Sequence, residues 1–242
     1  MSAVVGTAAS PVPTAPRARL DNLHLTLAGL VLLLLWDLAG LDLSAMHLVA
    51  DHSGFAWRDQ VLTRVVLHEG GRELGWAALA ALVVNVWRPL WAGPSRAERL
   101  RWLAVTVLCV LVVPTLKQFS LSSCPWDLAE FGGVARYVPH WQSIWGHVAD
   151  GGPGRCFPSG HAAAAFAFIG GWFVLRPYQP RAARLWLMGV LVCGVLFGVG
   201  QFLRGAHYPS HTLWTAWLCW ALSAALLQPR GDAPNRVSKP RV

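Results

Sequence analysis

The chain has 242 residues, of which 55% are hydrophobic and only 13% are charged. Soluble domains usually carry about a quarter charged residues, so the composition excludes an ordinary soluble domain and favours a protein that faces lipid. The formal net charge is +8, but the basic residues lie mostly between apolar blocks and no nucleic-acid-binding motif occurs. We therefore expect a bilayer as the partner, and no nucleic acid.

Six apolar blocks follow one another along the chain, and each approaches the ~20 residues that cross a bilayer core. They cover residues 24–43, 74–92, 100–117, 160–176, 183–203 and 207–227. Because they do not alternate like barrel strands, the predicted fold is an all-α, polytopic membrane bundle of about six transmembrane helices. We place this domain at 23–228, between a disordered tail at 1–22 and a polar tail at 229–242. An uncleaved first helix is preferred over a cleaved signal peptide, because the first block is longer than a signal core.

Most of the 20 Lys and Arg residues lie in the two tails and in the connections after the second and fourth blocks. The positive-inside rule then predicts that both termini are cytoplasmic. For a chain of this size we expect an integral inner (plasma) membrane protein. The connections after the third block and before the fourth and sixth blocks fall on the outer, periplasmic side.

Three polar clusters lie in those outer connections. The first runs from Lys117 to Pro125, the second is Pro158-Ser159-Gly160-His161, and the third runs from Arg204 to His211. Ser159 and Gly160 stand where a helix begins, and free backbone N–H groups favour an anion there. Lys117 and Arg204 supply positive charge for phosphate oxygens.

The third cluster also contains two histidines, His207 and His211, which are four residues apart. On one helical face their side chains can touch, so that one imidazole can fix the tautomer of the other. Together with His161, they provide a nucleophile, its orienting partner and an acid.

In this order the clusters resemble the type 2 phosphatidic acid phosphatase superfamily, which also contains vanadium haloperoxidases. The family pattern is a Lys six residues before Arg-Pro, then Pro-Ser-Gly-His, then Ser-Arg, five residues, His, three residues and Asp. The resemblance implies that Lys117, Ser159 and Gly160 bind phosphate, that His161 protonates the leaving oxygen, and that His207 attacks phosphorus. It implies a metal-independent phosphoric ester hydrolase or phosphotransferase without a cofactor, acting on a lipid phosphate or diphosphate through a phosphohistidine.

The chain departs from the family pattern at several positions. Cys124 stands in place of the first Arg, and Gln201 in place of the second. Arg204 lies three residues before His207 rather than six, and His211 replaces the Asp. We expect Arg204 to bind phosphate and His211 to orient His207, although a neutral imidazole stabilises a charged intermediate less than a carboxylate.

Cys124 and Cys156 lie in the same outer loop, beside the first and second clusters. Because an outer compartment is oxidising, we predict a disulfide between them. The disulfide would bring Arg155 close to position 124, which makes Arg155 a candidate for the missing phosphate-binding Arg.

Two other outer segments are less informative. Arg64, His68 and Arg72 recur every four residues, and a helix would place them on one face, toward headgroups, the distal part of a substrate, or solvent. His140 and His147, in the stretch 126–150, are expected to be solvated.

Three alternatives stay open at this point. One is a non-catalytic lipid-phosphate-binding or transport protein that retains the phosphate pocket. Another is an intramembrane serine protease with Ser159 as nucleophile, and the last is a haem protein with His ligands. The residues do not choose among polyprenyl diphosphate, phosphatidylglycerol phosphate, phosphatidate and lipid A phosphate as substrate.

Overall fold

A computed structural model of the chain describes residues 15–228, and within that range the fold is helical, without a β-strand. A π-helical segment, Leu62–Glu69, runs directly into α3. The α-helices are α1 (Ala15–Leu38), α2 (Leu41–Met46), α3 (Gly70–Trp87), α4 (Arg96–Gln118), α5 (His140–Trp145), α6 (Ala163–Phe166), α7 (Gly170–Leu175), α8 (Pro180–Leu203) and α9 (Pro209–Leu226).

Each of the six predicted blocks coincides with one of the longer helices or, at 160–176, with the nearly continuous helical stretch of α6 and α7. Three helical segments are long and apolar enough to cross a membrane: Arg19–Leu38, Arg96–Gln118 and Pro180–Leu203. The all-α membrane bundle is thereby confirmed, whereas the count of six spans stays a prediction. Helix α1 begins at Ala15, inside the predicted tail 1–22; residues 1–14 and the predicted tail 229–242 lie outside the described residues.

Large apolar side chains cover the outside of the bundle. Leu32, Leu185 and Val192 are each more than half exposed, as are many other Leu and Val residues of α1 and α8. A soluble monomer rarely leaves such contiguous apolar surface in water. The surface fits a lipid environment, which identifies a membrane protein.

The stretch from α6 to α7 forms the centre of the bundle and is almost entirely buried, with α4, α8 and α9 packed around it. Small residues allow this close approach. A Cβ built on Gly194 would lie 2.3 Å from the Phe166 ring, and one on Gly198 would lie 2.5 Å from Thr212. Membrane helices commonly pack through such positions, and here they fix one face of α8.

Helix starts and ends place the polar clusters. Ser95 and Glu98 form a capping box that starts α4: Ser95 Oγ accepts the Glu98 N–H, and Glu98 Oε2 accepts the Ser95 N–H. Such a box satisfies two backbone donors at once. The helix then runs to Gln118, which puts Lys117 in its last turn. Pro209 occupies the first turn of α9, where its missing N–H costs nothing.

Candidate active site

The end of α4, the turn before α6 and the connection from α8 to α9 meet at one end of the bundle. The Ser159 N–H donates to the His211 carbonyl at 3.2 Å, and Thr215 Oγ1 donates to the Ser159 carbonyl at 3.0 Å. A Cβ built on Gly160 would lie 4.0 Å from Lys117 Cδ. These contacts bring the three predicted clusters together.

Ser159 and Gly160 differ in what they offer a ligand. Ser159 is fully buried, and its Oγ accepts the Ala162 N–H at 3.5 Å, so it caps the helical turn that follows. Among the described residues no histidine hydrogen-bonds to that hydroxyl, as the general base of a serine nucleophile would. In the part of the chain that the structure describes, Lys117 at 4.0 Å is the one contact that a Cβ on Gly160 would make within that distance. The space above Gly160 is therefore open to a ligand that approaches the backbone.

His161 lies under the π-helical segment. Its Nε2 is 3.0 Å from the Leu67 carbonyl oxygen, and its ring centroid is 4.4 Å from that of His68. The pKa of His161 is lowered to about 4, chiefly by burial; the Leu67 hydrogen bond acts to raise it, and the charges of His68, Arg204 and Arg72 act to lower it. At neutral pH His161 is thus uncharged. Single π-helical turns often occur at functional sites.

His68 is the site residue that sequence reasoning left undecided. The Gln201 side-chain amide donates to His68 Nδ1 at 3.3 Å, which joins the π-helical segment to α8. Burial lowers the pKa of His68, and so do the positive charges of Arg204, Arg72 and Lys117. The spacing of His68 with Arg64 and Arg72 was the available signal, but spacing alone does not say which face of a helix meets the protein.

His207 is 4% exposed and packs against the disulfide. Its Nδ1 lies 3.5 Å from Cys156 Sγ. Burial lowers the pKa of His207 well below its usual range, with further lowering by the charges of Lys117 and His161, while a backbone hydrogen bond to Cys156 raises it. An uncharged imidazole with Nδ1 turned toward Cys156 leaves Nε2 as the nitrogen available for chemistry.

His211 is fully buried behind His207. Its Nδ1 donates to the Cys156 carbonyl at 3.1 Å, and its ring centroid is 5.8 Å from that of His207 at an interplanar angle of 61°. Among the described residues the two imidazoles share no hydrogen bond, so their contact is one of ring edges. The orienting role of His211 stays a prediction, and Cys156 is the residue that His207 Nδ1 faces.

The two predicted arginines lie differently. Arg204 follows α8, and its Nε donates to the Arg58 carbonyl at 2.9 Å; its charge acts on both His161 and His68. Arg155 has an exposed side chain and a left-handed backbone (φ 57°), and its N–H donates to the Ser120 carbonyl at 2.7 Å. The charge of Arg72, not that of Arg155, joins Arg204 in lowering the pKa of His161.

Cys124 and Cys156 form the predicted disulfide, with their sulfur atoms 2.01 Å apart and their Cα atoms 5.1 Å apart. Beside it, the Cys156 N–H donates to the Ser122 carbonyl at 2.9 Å. The disulfide joins the segment after α4 to the segment before His161, next to His207.

Comparison with known proteins is decisive for the family. The model of the PAP2 superfamily matches residues 99–233, more than half of the chain. This chain belongs to the PAP2 superfamily, the type 2 phosphatidic acid phosphatase superfamily that its polar clusters resemble. The match includes all three polar clusters, and PAP2 proteins are in general phosphatases, which supports a phosphoric ester hydrolase. No curated protein and no solved structure matched the chain.

The candidate site lies beside an apolar groove of about 430 Å³ between α3, α6 and α8. Phe197 lines the groove, and its ring centroid is 5.4 Å from that of His161. Ligand pockets of small molecules are typically ~300–1,000 Å³ and mostly apolar. The groove therefore lies next to His161, with the Phe197 ring between them. Its other walls include Leu74, Ala78, Ala164, Leu185, Gly189 and Cys193.

Proposed function

We propose that this PAP2 protein removes or transfers the phosphate group of a lipid phosphate or diphosphate, with His207 as the nucleophile. The observation that carries the proposal is the meeting of an uncharged His207 with His161 and Lys117 at the mouth of an apolar groove. A polar end that suits phosphate and an apolar side that suits a lipid tail are adjacent.

In the proposed reaction His207 Nε2 attacks phosphorus, and the bond from phosphorus to the leaving oxygen breaks. A phosphohistidine results, and His161 gives its proton to the leaving oxygen. Water, or an acceptor hydroxyl, then attacks the phosphohistidine, returns a proton to His161 and frees His207. Because an opposite charge favours the protonated form of a base, a bound phosphate raises the pKa of His161 from about 4 and prepares it as the acid.

The phosphate oxygens would be held by a cradle that differs from the family pattern. Lys117, Arg204 and the backbone at Gly160 supply the expected positive charge and N–H donors. Gln201 occupies the position of the second Arg of the pattern, and its side-chain amide lies 3.3 Å from His68 Nδ1. His68 would therefore take the place of that Arg beside the phosphate. Preorganised donors of this kind stabilise the charge that develops on the equatorial oxygens.

The lipid class is supported by the position of the groove. Its walls are apolar side chains of membrane helices, and it reaches the site through Phe197. A substrate would enter sideways from the outer leaflet, so that its tail stays in apolar surroundings while its phosphate reaches His207. With both termini in the cytoplasm, this end of the bundle would face the periplasm from the inner membrane.

The test is phosphate release from a panel of lipid phosphates in detergent, with a metal chelator present. We expect release by the wild type, none by His207→Ala, and a loss of at least about 100-fold for His161→Ala. His147→Ala is the matched control, because His147 is an exposed histidine of the loop and should retain wild-type activity. Undiminished release by His207→Ala would refute the mechanism.

A second candidate function is lipid-phosphate binding without turnover. It is favoured by the partners of His207, which include Cys156 but no carboxylate among the described residues. Binding of a lipid phosphate, with no release from any lipid and no acid-labile phosphoprotein after rapid quenching, would select this candidate.

A further inference from the structure

A buried cluster of titratable side chains lies away from the phosphate site. It consists of Asp37 in the last turn of α1, Asp42 in α2 and His140 at the start of α5. His140 was expected to be solvated, but its side chain is 5% exposed, because α5 folds against the end of α1 and the ring stacks on Phe157 at 4.2 Å. The side chain of Asp37 is also 5% exposed.

The donor atoms of the cluster converge. One oxygen from each carboxylate and one nitrogen of His140 all lie within 4.8 Å of one another, and His140 Nε2 is 3.3 Å from Asp37 Oδ2. The second oxygen of Asp37, Oδ1, is buried and has no hydrogen-bond partner among residues 15–228. All three residues line one small cavity. A buried carboxylate oxygen without a donor carries a desolvation cost that a cation would offset.

Neighbouring groups hold both carboxylates in place. The Trp214 indole N–H donates to Asp37 Oδ2 at 2.9 Å, and that of Trp36 donates to Asp42 Oδ1 at 3.0 Å. Ser210 donates its backbone N–H to Asp42 Oδ1 and its hydroxyl to Oδ2. Metal-binding carboxylates and imidazoles are commonly oriented by such outer hydrogen bonds.

We propose that Asp37, Asp42 and His140 bind a divalent transition-metal ion such as Zn²⁺. Two carboxylate oxygens and one imidazole nitrogen form a donor set that suits zinc, whereas calcium and magnesium prefer oxygen alone. With Zn–ligand distances of about 2.0–2.2 Å, tetrahedral ligand atoms lie roughly 3.3 Å apart. The observed His140–Asp37 distance of 3.3 Å already has that value. Because all three ligand atoms lie within 4.8 Å of one another, Asp42 would need to approach by at most about 1.5 Å.

The ion would act as a structural tie. It would join the ends of α1, α2 and α5, and through Ser210 it would brace the first turn of α9, directly before His211. Among the described residues, Asp37 and Asp42 make hydrogen bonds or an ion pair with His140, two tryptophans and Ser210, and no Lys or Arg side chain pairs with them. The other group of potential donors, Cys124, Cys156 and His207, has both sulfurs in the disulfide and offers no thiolate.

The experiment measures zinc directly and does not depend on phosphatase activity. Purified full-length protein in detergent, without reductant, is stripped with chelator, reloaded with zinc and desalted. Its metal content is measured by mass spectrometry and its melting temperature by intrinsic fluorescence. We expect about one zinc ion per chain and a higher melting temperature than that of the stripped protein.

Asp37→Asn and His140→Gln should each lower the zinc affinity by at least about tenfold and remove the stabilisation by zinc. His47→Gln is the matched control, because His47 is a half-exposed histidine near Glu130 and is not part of the cluster. This variant should bind zinc as the wild type does. Cobalt(II) absorption of the wild type gives a second readout if a variant fails to fold. Absence of zinc from the reloaded wild type, or loss of zinc in His207→Gln with retention in Asp37→Asn, would overturn the proposal.

Discussion

Removal of the disulfide should both destabilise the protein and impair His207. The perturbation is the double variant Cys124→Ser/Cys156→Ser. The two cysteines are separated by 32 residues along the chain, and the chain-entropy relation for a loop of that length gives a loss of about 3.7 kcal/mol at 25 °C. For a chain of this size the melting temperature should fall by roughly 7–15 °C.

Activity should fall further than stability alone explains. Cys156 Sγ lies 3.5 Å from His207 Nδ1 and 3.1 Å from the Ala206 carbonyl oxygen, so the disulfide is part of the wall that positions the imidazole. Below the melting temperature of the variant, phosphate release should therefore still be lower than that of the wild type.

The assay is intrinsic fluorescence melting in detergent, with phosphate release measured at a temperature at which both proteins are folded. Treatment of the wild type with reductant should reproduce the melting temperature of the double variant. Cys193→Ser is the control for stability, because Cys193 is a free cysteine and its loss should leave the response to reductant intact. The reasoning would be refuted by a double variant that melts within about 2 °C of the wild type, or by thiol labelling of both cysteines in unreduced protein.

Three more predictions concern the phosphate site. Gly160→Ala should retain the wild-type melting temperature, because among the described residues its Cβ meets only Lys117, at 4.0 Å. Phosphate release should nevertheless fall at least about tenfold, since the methyl group takes the place of the ligand. Full activity of this variant would show that phosphate does not approach the backbone at position 160. His68→Ala should weaken inhibition by phosphate about tenfold through one lost hydrogen bond. Arg155→Ala should weaken it less, because the Arg155 side chain is exposed. The reverse order in inhibition assays would show that Arg155, and not His68, binds the phosphate. The pKa of His161 is lowered from 6.5 to about 4, so below pH 6.5 the unfolded chain takes up a proton that the folded chain does not. The free energy of unfolding should therefore fall between pH 6.5 and 4 by up to about 3 kcal/mol. Melting curves of His161→Asn should show a smaller fall over this range, and an equal fall would contradict the lowered pKa.

The helices and the disulfide were within reach of sequence reasoning because each depends on local or near-local information. An apolar block of about 20 residues has few alternatives to a membrane helix, and two cysteines in one outer loop have few alternatives to each other. The helices begin and end within five residues of the predicted blocks, except that α1 begins nine residues before its block. The Pro-Ser-Gly-His motif likewise indicated Gly160 and His161 without any knowledge of packing.

The surroundings of the histidines depend on contacts between distant parts of the chain, and the sequence does not encode these as a pattern. His161 meets Leu67 across 94 residues, and His68 meets Gln201 across 133. The burial of His140 follows from the fold of a loop over α1, which neither its polarity nor its spacing indicates. The same holds for His211, whose side chain turns to the Cys156 carbonyl although its spacing equally suited a bond to His207.

The two faces of α8 have opposite tolerance to change, and under the proposed function this would bear on redesign of the preference for a lipid tail. On the packed face a methyl group at Gly194 would collide with Phe166 at 2.3 Å, whereas a Cβ at Gly189, which lines the groove, meets nothing within 4 Å. Larger side chains at position 189 would thus shorten the space for an acyl or prenyl tail without unseating the helix. Residues on the groove face of α8 could therefore be varied to select for a new tail length, and the histidines of the candidate site would stay unchanged.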